Sequence, residues 1–133
     1  MQVADPALAE HRWLADAVAV GLLELHVTEL ASFPIEAQDG SLERLLIATD
    51  LGIVEGTISG PPVNGIPGLV LDLRLWRDCQ VTARARVDAQ NGAHDARASL
   101  TVNGRTVSSW SLRTREAANE FIAITLAEAS RAR

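Results

Sequence analysis

Few residues of this chain have the types and spacing that catalysis requires. Cys79 and His94 are the residue types of a nucleophile and its general base, and such partners need not be close in sequence. Cys79, however, falls on the apolar register of a strand start, where cysteine is commonly buried. The sequence therefore predicts no catalytic cysteine.

Paired polar residues are a second possible source of chemistry. Asp88 and Asp95 are the types used in acid–base catalysis, but we expect them at the mouth of a hairpin, where solvent reaches both. His26 and Glu29 stand three residues apart, a spacing that favours a surface pair on one helix face. Neither pair predicts an active site.

The sequence also lacks the patterns that bind metals and phosphates. His11, His26 and His94 are far apart, and the single cysteine, Cys79, cannot complete a zinc site without them. The glycines within residues 60–68 are interrupted by prolines and precede a strand rather than a helix. We predict no catalytic residue, no metal site and no cofactor.

Periodicity and turn residues divide the chain into a helix, a series of strands and a second helix. Asp5-Pro6 is a typical helix start, and residues 22–30 fit either a continued helix or a first strand, with Phe33-Pro34 expected to end it. The remaining expected elements are strands near 42–50, 52–59, 68–76, 79–89, 95–103 and 105–113 and a helix near 115–130. We predict a single domain over 1–133, with an N-terminal helical segment over 1–33.

Two Asn-Gly sequences predict the pairing of the last three strands. Asn103-Gly104 is typical of a two-residue type I′ turn and pairs Leu100 with Val107, while Asn91-Gly92 pairs Val87 with Ala96. The face carrying these residues is small or apolar throughout, so we expect it to be buried.

The opposite face of the same hairpins carries the candidate binding residues. The register places Arg86 opposite Arg97, with Trp110 extending that row and Arg84 opposite a serine. An arginine over an indole forms a cation–π pair. These four residues form either a site for an anionic ligand or a face whose charge neighbouring aspartates neutralise.

Composition limits the class of protein. The chain has 133 residues, 47% hydrophobic and 22% charged, which is typical of one globular domain. Its net charge of −5 disfavours nucleic acid and anionic membranes as partners, and its first residues are acidic, unlike a secretory signal. One cysteine fits a reducing compartment, so we expect a cytoplasmic protein, and arginine without lysine indicates a GC-rich, bacterial coding sequence.

Residues 41–131 resemble a bacterial pleckstrin-homology-like (PH-like) domain. The resemblance rests on the opening strand and turn at 43–50, on the arginine-rich strands and on residues 116–121 of the closing helix. It implies an α+β fold in which a bent antiparallel sheet or partly open barrel of six or seven strands is closed by an amphipathic C-terminal helix. Members that bind phosphoinositides carry basic residues around the first hairpin loop, where this chain has Asp50 and then Glu55, so lipid binding is disfavoured.

The N-terminal helix is an addition to that common core. Its apolar stripe contains Trp13, Leu14, Val18 and Leu22, which either close an open end of the sheet or form an interface with another subunit.

Three functions remain open from the sequence. The first is a non-enzymatic module that binds a protein partner or a second copy of itself. The second is a small-molecule or anion binder that uses Arg84, Arg86, Arg97 and Trp110. The third is a small α+β enzyme whose pocket is not visible in the sequence.

Overall fold

Seven strands and two helices account for most of the residues described in the computed structural model, which are 12–39, 42–59, 68–90, 93–109 and 114–132. The side chains at 12, 13, 59, 90, 93 and 94 lie outside the description, as do the helix start at Asp5-Pro6 and Trp110. The elements are helix α1 (Arg12–Glu24), strands β1 (Glu29–Glu36), β2 (Leu42–Thr49), β3 (Gly52–Ser59), β4 (Gly68–Leu75), β5 (Val81–Gln90), β6 (Ala93–Val102) and β7 (Arg105–Ser108), and helix α2 (Arg115–Arg131). The α+β class and the order of elements are as predicted.

The strands form two antiparallel sheets rather than one bent barrel. The first sheet has the order β1-β2-β3-β4 and the second the order β5-β6-β7. A short 3₁₀ turn, Trp76–Asp78, separates β4 from β5, and no described strand pairs across the two sheets. The expectation of a partly open barrel is corrected in this respect.

The ambiguous segment 22–30 contains both a helix end and a strand start. The amide of Val27 donates to the carbonyl of Leu22 and that of His26 to Leu23, which is the Schellman pattern, with His26 at φ 57°. Strand β1 then begins at Glu29 and continues through Pro34. Phe33-Pro34 does not end the strand because β1 is at the edge of its sheet, where a residue without an amide proton is tolerated.

Helix α1 covers one face of the first sheet. Leu14, Val18 and Leu22 are buried in a cluster with Ile47 of β2. The preceding residue of β2, Leu46, belongs to a second cluster on the opposite face of the sheet. Successive strand residues point to opposite faces, so the first sheet is the middle layer of the molecule. The second face packs against the second sheet and α2.

That second cluster is the larger core. The rings of Phe33 in β1 and Phe121 in α2 lie 6.4 Å apart between centroids, and Leu100 and Val107 of the second sheet are fully buried beside them. Trp76 is also buried there, and its indole Nε1 donates to the carbonyl of Thr49 at 3.0 Å. The 3₁₀ turn thus places the indole against the end of β2, where Thr49 lies.

The registers of both hairpins of the second sheet are confirmed. Leu100 pairs with Val107 and Val87 with Ala96, and Asn103 and Gly104 have positive φ angles of 52° and 84°. A type I′ turn requires positive φ at both central residues, which is the reason that Asn-Gly predicts it so well.

The expected burial of the apolar side of these hairpins was wrong over its outer half. Near the β6–β7 turn this side is buried, but Ala83, Ala85, Val87 and Ala96 are exposed, and Val87 keeps 58% of its surface in solvent. Strands β5 and β6 have ten residues each, whereas β7 has only four. The outer half of the β5–β6 hairpin therefore extends beyond the described elements that cover its inner half.

Candidate functional site

The three arginines predicted to form a binding face share one side of the second sheet. Arg86 pairs directly with Arg97, and Arg84 pairs with Ser99. The next pair on the same face of the sheet is Asp88 with Asp95. We call the surface formed by these three arginines and two aspartates the arginine face; Trp110, its predicted fourth binding residue, lies outside the described residues.

The aspartates already bind two of the three arginines. Nη1 of Arg97 lies 2.8 Å from Oδ1 of Asp95, and Nε of Arg86 lies 3.2 Å from Oδ1 of Asp88. Arg84 is exposed and forms no ion pair with any described residue. Two carboxylates opposite three guanidinium groups leave one formal positive charge, which is a weak attraction for an anionic ligand.

The other side of the same hairpin is uncovered and apolar. We call it the hairpin apolar face and define it by the exposed residues Ala83, Ala85, Val87 and Ala96. It continues into the buried core through the partly buried residue Ala98. A stripe of small side chains that continues the core into solvent is a typical contact surface for another chain.

The backbone of β5 also has an outer edge to which no described strand is paired. The amide of Ser109 donates to the carbonyl of Ala98 at 3.0 Å, so the backbone groups of Ala98 point towards the β7 side of β6. The backbone N–H and C=O groups of its neighbour Arg97 therefore point towards β5, and those of Arg86, its partner in β5, point back towards β6. The alternate β5 residues, among them Ala85 and Val87, direct their N–H and C=O groups away from β6. No described strand pairs with that edge.

The predicted interface residues of α1 occupy a different environment. Leu14, Val18 and Leu22 have 0%, 8% and 7% of their surfaces exposed, because they pack on the first sheet. They cover the outer face of that sheet. The side chain of Trp13 lies outside the described residues. Among the described side chains of α1, the exposed large apolar residues are Val20 and Leu23.

The two residue pairs considered from the sequence, Cys79 with His94 and His26 with Glu29, do not form the arrangements that were considered for them. Cys79 precedes β5, whereas His94 pairs with Ala89 near the other end of the hairpin. Ten residues of extended strand span roughly 33 Å, so Cys79 and His94 cannot act on one substrate as nucleophile and base. His26 ends α1 and Glu29 begins β1, so they do not share a helix face.

The sequence interpretation missed one partly buried charge cluster. Oε1 of Glu55 in β3 accepts hydrogen bonds from Nη1 of Arg44 at 3.0 Å and Nε of Arg105 at 2.8 Å. Nη1 of Arg44 also lies 3.2 Å from Oγ1 of Thr57. Glu55 and Arg105 are fifty residues apart in sequence. The only feature of the sequence that could have indicated this ion pair is the opposite charge of Glu55 and Arg105.

Further possible sites are limited in the part of the chain that the structure describes. A shallow, open cleft of about 220 Å³ between β1 and β7 is lined by Phe33, Ile35, Thr106 and Ser108, among others, without a histidine or cysteine in its described lining. No group of three or more acidic, histidine or cysteine side chains is placed there to hold a metal ion. No helix in the described ranges is long and apolar enough to cross a bilayer.

Comparison of the chain with protein-family models, with curated proteins and with solved structures gives no match.

Proposed function

We propose that this chain is a non-enzymatic protein-interaction module with a PH-like fold, which binds its partner along the outer edge of β5. The observation that carries the proposal is the hairpin apolar face, which continues the core into solvent directly beside a strand edge that no described strand pairs with. A partner strand added to this edge satisfies free backbone groups and covers apolar side chains at the same time.

The geometry of strand addition fits β5 in particular. Its pairing with β6 is regular over ten residues, without a bulge, and the strand contains no proline. By contrast, the edge strand β1 contains Pro34 and two register shifts, and β7 has only four residues. The remaining edge strand, β4, is regular over eight residues, but its leucines already pack against the cluster under α1. Sheet edges are usually protected by such features, so a long, regular edge without them favours binding of another strand.

The PH-like part of the proposal is supported by the two antiparallel sheets, to which residues 41–131 contribute strands β2 to β7, and by the C-terminal helix. Helix α2 places Phe121 and Ile122 in the core between the sheets, as the closing helix of such a fold does. We also propose a cytoplasmic location, because the single cysteine, Cys79, leaves the chain without an internal disulfide.

The two alternatives have less support. Anion binding at the arginine face would depend mainly on Arg84, which has no ion pair among the described residues. The other two arginines of the face are already bound by Asp88 and Asp95. An enzymatic function lacks an assembled nucleophile and base among the described side chains.

The proposed function can be tested with selected peptides. Peptides chosen from a random library for binding to the wild-type chain are added to it at a chain concentration low enough for the monomer to predominate, and amide hydrogen exchange is compared with and without them. We expect the amides of Ala83, Ala85 and Val87 to exchange at least about tenfold more slowly with peptide. Protection confined to other elements would contradict the proposal.

A matched pair of variants makes the test specific. Val87→Asp introduces a charge into the hairpin apolar face and should weaken peptide binding, whereas Leu23→Asp makes the same change at a residue of α1 that is 74% exposed. The second variant should bind like the wild type. Equal loss in both variants would indicate a general effect of the added charge.

A further inference from the structure

We propose that the partner of this site is a second copy of the chain, and that the two β5 strands pair antiparallel about a twofold axis at Val87. This inference rests on the proposed function, since it names the partner of the same edge. Symmetric dimers use one patch on both copies, so the patch must be complementary to itself. The β5 edge meets this requirement in one register.

The charges of the arginine face provide the self-complementarity. Within one chain, Arg86 lies opposite Arg97, and the next pair is Asp88 opposite Asp95. Both are cross-strand pairs of like charge, with the positive pair one step from the negative pair along the strands. Antiparallel pairing centred on Val87 places Arg86 of each copy directly opposite Asp88 of the other. Each like-charged pair then continues into a pair of opposite charge across the interface.

Neighbouring registers lose this match. An axis at Ala85 places Arg84 opposite Arg86 twice, an axis at Arg86 places that arginine opposite itself, and an axis at Asp88 places the aspartate opposite itself. Like charges directly opposite one another destabilise a sheet. Among these registers, the axis at Val87 has two opposite-charge pairs and no like-charge pair directly opposed.

The side chains concerned have capacity for a further ion pair. Arg86 is 66% exposed and donates to Asp88 through Nε, while Asp88 accepts at Oδ1 and remains 42% exposed. The other atoms of both groups, the Nη nitrogens and Oδ2, have no partner among the described residues. A second copy supplies partners for them without breaking the contact within the chain.

The opposite side of the joined strands is apolar. The same register places Val87 opposite Val87 of the second copy and Ala85 opposite Ala89. The backbone N–H and C=O groups of these three residues point away from β6, so they can form the hydrogen bonds between the two β5 strands. Ala96 lies beside Val87 on β6. The two hairpin apolar faces thus become one continuous surface, on a six-stranded sheet formed by the described strands of both copies.

The first experiment measures mass and register together. Light scattering behind a sizing column should give twice 14.2 kDa for the wild type. In a Cys79→Ser background, oxidised glutathione should then join two Val87→Cys chains, because directly opposite residues on such strands have Cα atoms about 5.5 Å apart. Ala85→Cys is the matched control: its two cysteines lie four strand residues apart, about 13 Å, and should not join.

Charge exchange tests the same register independently. Arg86→Asp and Asp88→Arg each create like-charge pairs across the interface and should each raise the dimer dissociation constant at least about tenfold. An equimolar mixture of the two variants restores both opposite-charge pairs and should form heterodimers with roughly the wild-type affinity.

The outcomes separate the inference from the proposed function. A wild-type mass of 14.2 kDa at all concentrations up to about 1 mM would overturn the second-copy inference, and peptide protection of β5 would leave the proposed function standing. A dimer that joins Ala85→Cys as readily as Val87→Cys would overturn the register. A dimer insensitive to both charge variants, without peptide protection of β5, would overturn both proposals.

Discussion

Nε of Arg105 lies 2.8 Å from Oε1 of Glu55, and this ion pair links two sheets that share no strand pairing among the described residues. The same oxygen accepts from Nη1 of Arg44, so one carboxylate holds two guanidinium groups. Glu55 belongs to the acidic first part of the chain and Arg105 to its arginine-rich second part. The contact therefore fixes the position of the β6–β7 hairpin relative to β3.

Glu55→Gln should lower the free energy of unfolding by about 1–2 kcal/mol, because two arginines then share no carboxylate. Their partial exposure, 26% for Arg44 and 38% for Arg105, limits the loss. Urea unfolding measures it. Glu128→Gln is the control, since its partner Arg131 is 74% exposed, and it should cost less than about 0.5 kcal/mol. Equal losses would show that the Glu55 cluster does not fasten the sheets.

His26→Gly should stabilise the chain by about 1 kcal/mol. His26 ends helix α1 at φ 57°, a left-handed conformation that glycine adopts without a steric cost. The midpoint of thermal unfolding should rise accordingly. His26→Ala keeps the β-carbon and should bring no such gain; if both variants raise the midpoint equally, the backbone conformation is not the cause.

Gly52→Ala should destabilise the chain by roughly 3 kcal/mol or more, because a β-carbon at this position would collide with the backbone carbonyl of Arg74 on the neighbouring strand. Gly104→Ala gives the comparison. Gly104 has a positive φ of 84° but open space around it, so only the conformational cost of about 1 kcal/mol applies. Denaturant unfolding of both variants should reproduce this order, and a reversed order would contradict the close approach of β3 and β4.

The arginine face should bind polyanions weakly in the wild type and more tightly once its aspartates are neutralised. In Asp88→Asn/Asp95→Asn, Arg86 and Arg97 lose their carboxylates and the face carries three unpaired guanidinium groups, so the affinity for tripolyphosphate should rise at least about tenfold and fall with added salt. Titration calorimetry measures both. Tight binding by the wild type that Arg97→Ala abolishes would instead favour the anion-binding function.

Local chemistry determined the strand pairing of the second sheet. Asn103-Gly104 closes its turn with two positive φ angles, so every partner in the β6–β7 hairpin can be counted outward from it. Residue alternation then determined which side chains share a face, including the candidate arginines. Turn geometry and alternation depend on neighbours in sequence, which explains why both were predictable.

Contacts between distant segments decided the rest. Whether a small apolar face is buried depends on what lies over it, and the described elements leave Ala85 and Val87 uncovered. The burial of Trp76 and the ion pair of Glu55 with Arg105 likewise join residues far apart in the chain. The sequence by itself determined the elements from β2 to α2, the registers of the second sheet and the residues on each face of its hairpins. Only the tertiary structure decided which faces meet and which edge stays open, because packing between layers depends on relative positions that no local pattern encodes.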